Sequence, residues 1–157
     1  LVLEAARAGA DRAMQAICDV IAHAPNPAAG VRAYAEAAAR LMRESDYTFG
    51  CPLAPVVLDG EGPPALAELC RATFVGWTGV LRNAFAKAGM SGRRAGALAT
   101  IVVTTIEGAL LMARSYRDAG PLQTAAAELE RLVAAGLPSN PPRRRRRAAR
   151  TAPPTPR

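Results

Sequence analysis

Glu107 is the residue with the most chemistry to explain. It is the only acid between Glu68 and Asp118 and the only charge from Ala95 to Ala113. A carboxylate in such apolar surroundings is costly to bury unless a partner compensates it. Arg114 follows seven residues later, about two helical turns on and nearly on the same face. Two roles stay open: an ion pair with Arg114, within or between chains, or a carboxylate that faces a ligand cavity and selects a cationic or donor-rich compound.

The remaining reactive side chains exclude more than they propose. His23 is the only histidine, so a histidine-based triad, a His-x-x-His metal site and a paired histidine relay are ruled out within one chain. At the end of a helical stretch, it suits a role with the helix dipole or a terminal carbonyl. Cys18, Cys51 and Cys70 are odd in number and irregular in spacing, unlike a disulfide framework or a zinc ligand set. Cys51 has no cation or histidine beside it in sequence and reads as an inert, buried thiol. Gly60–Glu61–Gly62 carries an acid and precedes two prolines, so it cradles no phosphate. The inventory points away from an enzyme and requires no metal and no cofactor.

The chain has 157 residues, enough for one domain with its own core. Half of it is apolar but only 4% is aromatic, and alanine dominates, which favours helices packed through small side chains. The net charge of +7 is unevenly spread. Arg143, Arg144, Arg145, Arg146, Arg147, Arg150 and Arg157 account for all of it, leaving Leu1–Pro142 neutral. A basic tail on a neutral body gives no reason to place a nucleic-acid surface on the body. Residues 138–157 are rich in proline and arginine with little to bury, and a mobile tail is expected there. Its run Arg143–Arg147 suits weak, sequence-blind, salt-sensitive phosphate contacts.

Apolar residues recur at helical spacing through Leu1–Ala24, ended by Pro25–Asn26–Pro27. Asn26 can cap a second helix that runs to about Ser45, with Pro27 in its first turn. A short helix is expected after Pro52, then a long one from Pro63–Pro64 to near Gly89. Ser91 can cap a helix over Gly92–Ala119, and a last helix carries Leu122, Leu129 and Leu132 to near Gly136. The run Ile101–Met112, interrupted by Thr104, Thr105, Glu107 and Gly108, reads as too short and too polar to span a bilayer. A helix apolar on nearly all sides is expected to be buried both in its own core and against a second chain. The few aromatic residues cluster in the middle third, where plain core packing and a pocket remain open readings.

Several segments taken in order carry a resemblance. These are Gly50–Cys51–Pro52–Leu53–Ala54, Phe74–Val75–Gly76–Trp77 with Leu81–Arg82, the run Ile106–Arg114, and Pro121–Leu122 with its closing helix. Over Leu1–Leu137 the chain resembles the C-terminal regulatory domain of TetR-type transcriptional repressors, in the branch with a Gly-Cys-Pro segment.

The resemblance implies an all-α helical bundle that dimerises through its last two long helices, forming a two-fold four-helix interface. Ile101, Thr104, Gly108, Leu111, Leu122, Leu129 and Leu132 are then the expected interface residues. A cavity for a small hydrophobic effector is expected beside Tyr34, Met42, Phe49, Phe74, Trp77 and Thr105. Such repressors read a palindromic operator through an N-terminal helix-turn-helix domain and release it when the effector binds. Here Leu1 already falls in the helix linking the two domains, so DNA contact is expected only through a preceding domain. The implied protein is cytoplasmic and has no membrane partner. The rival reading is a ligand-free structural helical protein with a basic, nucleic-acid-associating tail.

Overall fold

The computed structural model describes residues 1–59 and 63–139. Among them there are six helices and no strand: α1 (Val2–His23), α2 (Pro27–Glu44), α3 (Ala54–Asp59), α4 (Pro64–Lys87), α5 (Gly92–Tyr116) and α6 (Gly120–Gly136). The chain is all-α, as its periodicity requires.

Local chemistry explains most helix ends. Asn26 Oδ1 accepts the Ala29 amide at 2.9 Å, and Pro27 starts α2 where no intrahelical amide is needed. At the end of α1, His23 Nδ1 lies 2.7 Å from the Asp19 carbonyl. A carbonyl only accepts, so that ring nitrogen carries the proton. Ser91 precedes α5 as expected, but its side chain makes no capping bond. α5 also stops three residues before the expected Ala119. Arg117 takes left-handed backbone (φ 53°, ψ 42°) and ends it, while Gly120 belongs to α6 instead of separating the two helices.

α2 packs most extensively on α6, α4 on α5, and α5 on α6, while α1 lies across α2 and α4. Alanines 28, 35, 38 and 39 of α2 and 125 and 126 of α6 are buried, allowing close helix approach. Larger side chains fill the layers between: Val31, Met42, Phe85, Leu98, Val102, Leu122 and Val133 are almost wholly enclosed. Each such burial contributes about 1.5–3 kcal/mol relative to exposure. Arg32 adds a surface tie, donating to Glu36 within α2 at 2.7 Å and to Glu130 of α6 at 2.8 Å.

Two expectations need correction. Leu122 and Leu129 are 0% and 2% exposed inside a single protomer, so neither is free to face a second chain. Leu132 is partly buried against the same core. The buried apolar residues of α6 are consumed by its own bundle, and the exposed residues it leaves are Gln123, Thr124, Glu128, Arg131, Ala134 and Ala135. The second correction concerns α5. The helix is 25 residues long, and an 18-residue stretch within it has a mean hydropathy of 1.8, which by length and composition alone is enough to cross a membrane. It lies within the expected Gly92–Ala119, and the correction is only that its apolar run is longer than Ile101–Met112. Its apolar face nevertheless packs into the bundle: Ala95, Leu98, Ala99, Val102, Ile106, Ala109, Leu110 and Ala113 are all buried.

Candidate functional site

One face from each of several helices lines a cavity of about 480 Å³ that opens to solvent past Arg12, Ala16 and Leu41. α1 contributes Arg12, Ala13, Ala16 and Val20, and α2 contributes Tyr34, Ala37, Ala38 and Leu41. These spacings of three and four keep each set on one side of its helix. The segment Phe49–Pro52 closes one end, and Trp77 of α4 and Glu107 and Leu110 of α5 complete the wall. Small side chains create the space: four alanines line it where larger residues would meet across the gap. Gly9 lets the Pro52 loop press onto α1, since a Cβ there would stand 2.6 Å from Pro52 Cβ.

A second cavity of about 320 Å³ lies between the segment Gly50–Leu58 and α5, lined by Cys51, Glu107, Leu110 and Arg114 among others. A gap of about 20 Å³ among Ile17, Tyr34, Trp77, Leu81 and Val102 also reaches Glu107. Glu107 thus borders all three spaces. The expected ion pair with Arg114 is absent among the described residues, where neither side chain has a salt-bridge partner. Glu107 turns inward beside the Cys51 thiol, while Arg114 is exposed with a guanidinium nitrogen 3.5 Å from the Cβ position of Gly50.

Burial raises the Glu107 carboxyl above its ordinary value of 4.5, and the neighbouring Cys51 thiol, as a hydrogen-bond partner, partly opposes this. The Cys51 thiol is pushed up to about 12, first by burial and then by the Glu107 carboxylate. Tyr34 is likewise pushed up to about 12, by burial and then by the charges of Glu107 and Cys51. These three groups form the polar centre of an otherwise apolar site.

Of the six residues expected around an effector, Tyr34, Phe49 and Trp77 line the large cavity. Met42 is wholly buried core, and Thr105 of α5 lines none of the three spaces. Phe74 stands behind Trp77, edge to face, with ring centroids 5.2 Å apart and planes at 85°. Trp77 is 3% exposed, and its indole N–H finds no hydrogen-bond partner among the described residues. Sequence reasoning missed the alanine faces of α1 and α2, whose only signal was small residues at helical spacing. Gly60–Glu61–Gly62 and the arginines Arg143–Arg147 lie outside the described residues.

α5 also presents a solvent-facing row at alternating spacings of four and three: Ala97, Ile101, Thr104, Gly108 and Leu111. Ile101 is 39% and Leu111 50% exposed, and a Cβ on Gly108 would meet nothing within 4 Å.

Residues 27–128 match the family described as transcriptional regulator LmrA/YxaF-like, C-terminal domain. The chain belongs to this family of TetR-type regulator domains. It is also 32% identical over 103 residues to two uncharacterized HTH-type transcriptional regulators of Mycobacterium tuberculosis, MT0206 of strain CDC 1551 / Oshkosh and Rv0196 of strain ATCC 25618 / H37Rv. The match covers 62% of this chain and 53% of each relative, so the chain spans about half the length of these relatives.

Proposed function

We propose that this domain senses a small hydrophobic molecule and, as a homodimer, couples its binding to release of operator DNA by a helix-turn-helix domain of the same cytoplasmic regulator. The chain itself then acts as a sensor and has no catalytic role. The cavity of about 480 Å³ between α1, α2, α4 and α5 carries this reading. It has the size and predominantly apolar lining of a small-molecule site, with a few polar groups converging on it. α1 forms one wall, so a ligand that spreads or tightens the cavity shifts that helix. A helix linked to a DNA-reading domain would transmit the movement. The uncovered row on α5 supports the dimer, because Gly108 and Thr104 permit close approach of a partner helix and Ile101 and Leu111 supply apolar area.

The test uses N-phenyl-1-naphthylamine, an uncharged dye that brightens in apolar surroundings. Saturable binding of one dye per protomer is expected, abolished by Ala13→Phe, which fills the cavity from α1. Dye binding that survives Ala13→Phe would place the probe elsewhere and refute the site. Sedimentation of the same protein at micromolar concentration should show a dimer, and a clean monomer would refute that part.

A further inference from the structure

The large cavity holds a carboxylate that makes no ion pair with any cation among the described residues. This group, Glu107, borders all three spaces in this part of the molecule. Its hydrogen-bond partner is the Cys51 thiol, a weak donor, and the Tyr34 hydroxyl is close enough to feel its charge. Three aromatic side chains, Tyr34, Phe49 and Trp77, share the cavity wall with it. A carboxylate beside aromatic rings in an apolar chamber is a donor set for one chemistry: the carboxylate supplies opposite charge, and the ring faces attract a cation while tolerating its hydrocarbon body.

We propose that the effector is a lipophilic organic cation, an apolar body bearing a protonated amine, which seats its ammonium on Glu107 beside Tyr34 and Trp77. This deepens the sensor reading and rests on the cavity being the effector site. Charge complementarity favours it over the other ligand classes. A carboxylate-bearing ligand would bring like charge into the chamber, and a purely apolar ligand would leave Glu107 buried and uncompensated. The arginines at the rims, Arg12 and Arg114, are exposed side chains screened by solvent, and they do not reverse the sign of the interior. Burial disfavours the Glu107 carboxylate in the empty protein, and an ammonium at contact distance removes that penalty by restoring the charged form.

Three compounds of nearly one shape separate the classes: 4-phenylbenzylamine, 4-phenylbenzyl alcohol and 4-phenylbenzoate, titrated calorimetrically at pH 7 into the 157-residue protein and its Glu107→Gln variant. The amine is expected to bind about tenfold more tightly than the alcohol, and the benzoate more weakly than both. In Glu107→Gln the amine should lose its advantage while the alcohol stays within about twofold of its wild-type affinity. That unchanged alcohol affinity shows that the variant is folded with its cavity intact. Equal binding of amine and alcohol to the wild-type protein, or an advantage that survives Glu107→Gln, overturns the cation assignment and leaves the cavity as a hydrophobic sensor site. Failure of all three compounds, together with failure of N-phenyl-1-naphthylamine, overturns the sensor reading and the assignment together.

Discussion

Arg117 donates from Nη2 to Asp46 Oδ1 across 2.6 Å, and both residues hold left-handed backbone, with φ of 53° and 50°. Tyr47, next to Asp46 in the chain, has φ 61° and lies under the same guanidinium, 5.8 Å from ring centroid to Arg117 Cζ. The three left-handed non-glycine residues among those described therefore form one cluster, joining the end of α2 to the end of α5. The cluster holds the start of the segment that continues through Phe49 and Cys51 into the cavity wall. Left-handed backbone disfavours any residue with a Cβ. Arg117→Gly and Arg117→Ala both delete the pair, but only glycine relieves the backbone. Thermal melting should place the glycine variant about 2–5 °C above the alanine variant. Equal melting temperatures would show that the strain is released some other way.

Glu107 has a raised folded-state pKa, so the folded protein holds this proton more tightly than the unfolded chain does. Between the ordinary value of 4.5 and the raised folded value, stability therefore falls as pH rises. Glu107→Gln removes that slope. Urea unfolding from pH 4 to pH 8 should show the wild type losing stability relative to the variant across this window, and the variant equal to or more stable than the wild type at pH 8. A wild type that gains on the variant with rising pH would mean that a cation compensates Glu107 in solution.

Cys51 should resist alkylation. With its pKa near 12 against an ordinary 9.0, its thiolate is at least about a hundredfold scarcer at pH 8. Iodoacetamide labelling followed by peptide mass analysis should therefore leave Cys51 unmodified long after an ordinary exposed thiol has reacted. Glu107→Gln, by removing a neighbouring negative charge, should speed its reaction several-fold.

Leu122 and Gly108 separate folding from association. Leu122→Ala opens a cavity between α6 and its neighbours and should cost about 2–5 kcal/mol of protomer stability, read from denaturant midpoints. Gly108→Leu meets open space within the protomer and replaces a poor helix former, so the folded protomer should be unharmed. The same leucine would hold two α5 helices apart and weaken the dimer by about tenfold or more in sedimentation. A dimer indifferent to Gly108→Leu would move the interface away from this row.

Much of this architecture is local and was therefore legible in the chain. Proline pairs, Asn26 and the 3.6-residue apolar period act within a few residues of their own positions, and they placed all six helices within a few residues of their ends. The end of α5 escaped because Arg117 terminates it in a left-handed conformation that its residue type does not announce. Which partner claims an apolar stripe is decided only when helices pack. Leu122 and Leu129 looked suited to a second chain, yet α6 spends them on its own bundle. Glu107 shows the same division. Its isolation among apolar residues marked it as costly from the sequence alone. Only the packing of α1, α2, α4 and the Cys51 loop turned it away from Arg114 and into a cavity, because the distance between side chains on different helices is a property of the fold and not of their spacing in the chain.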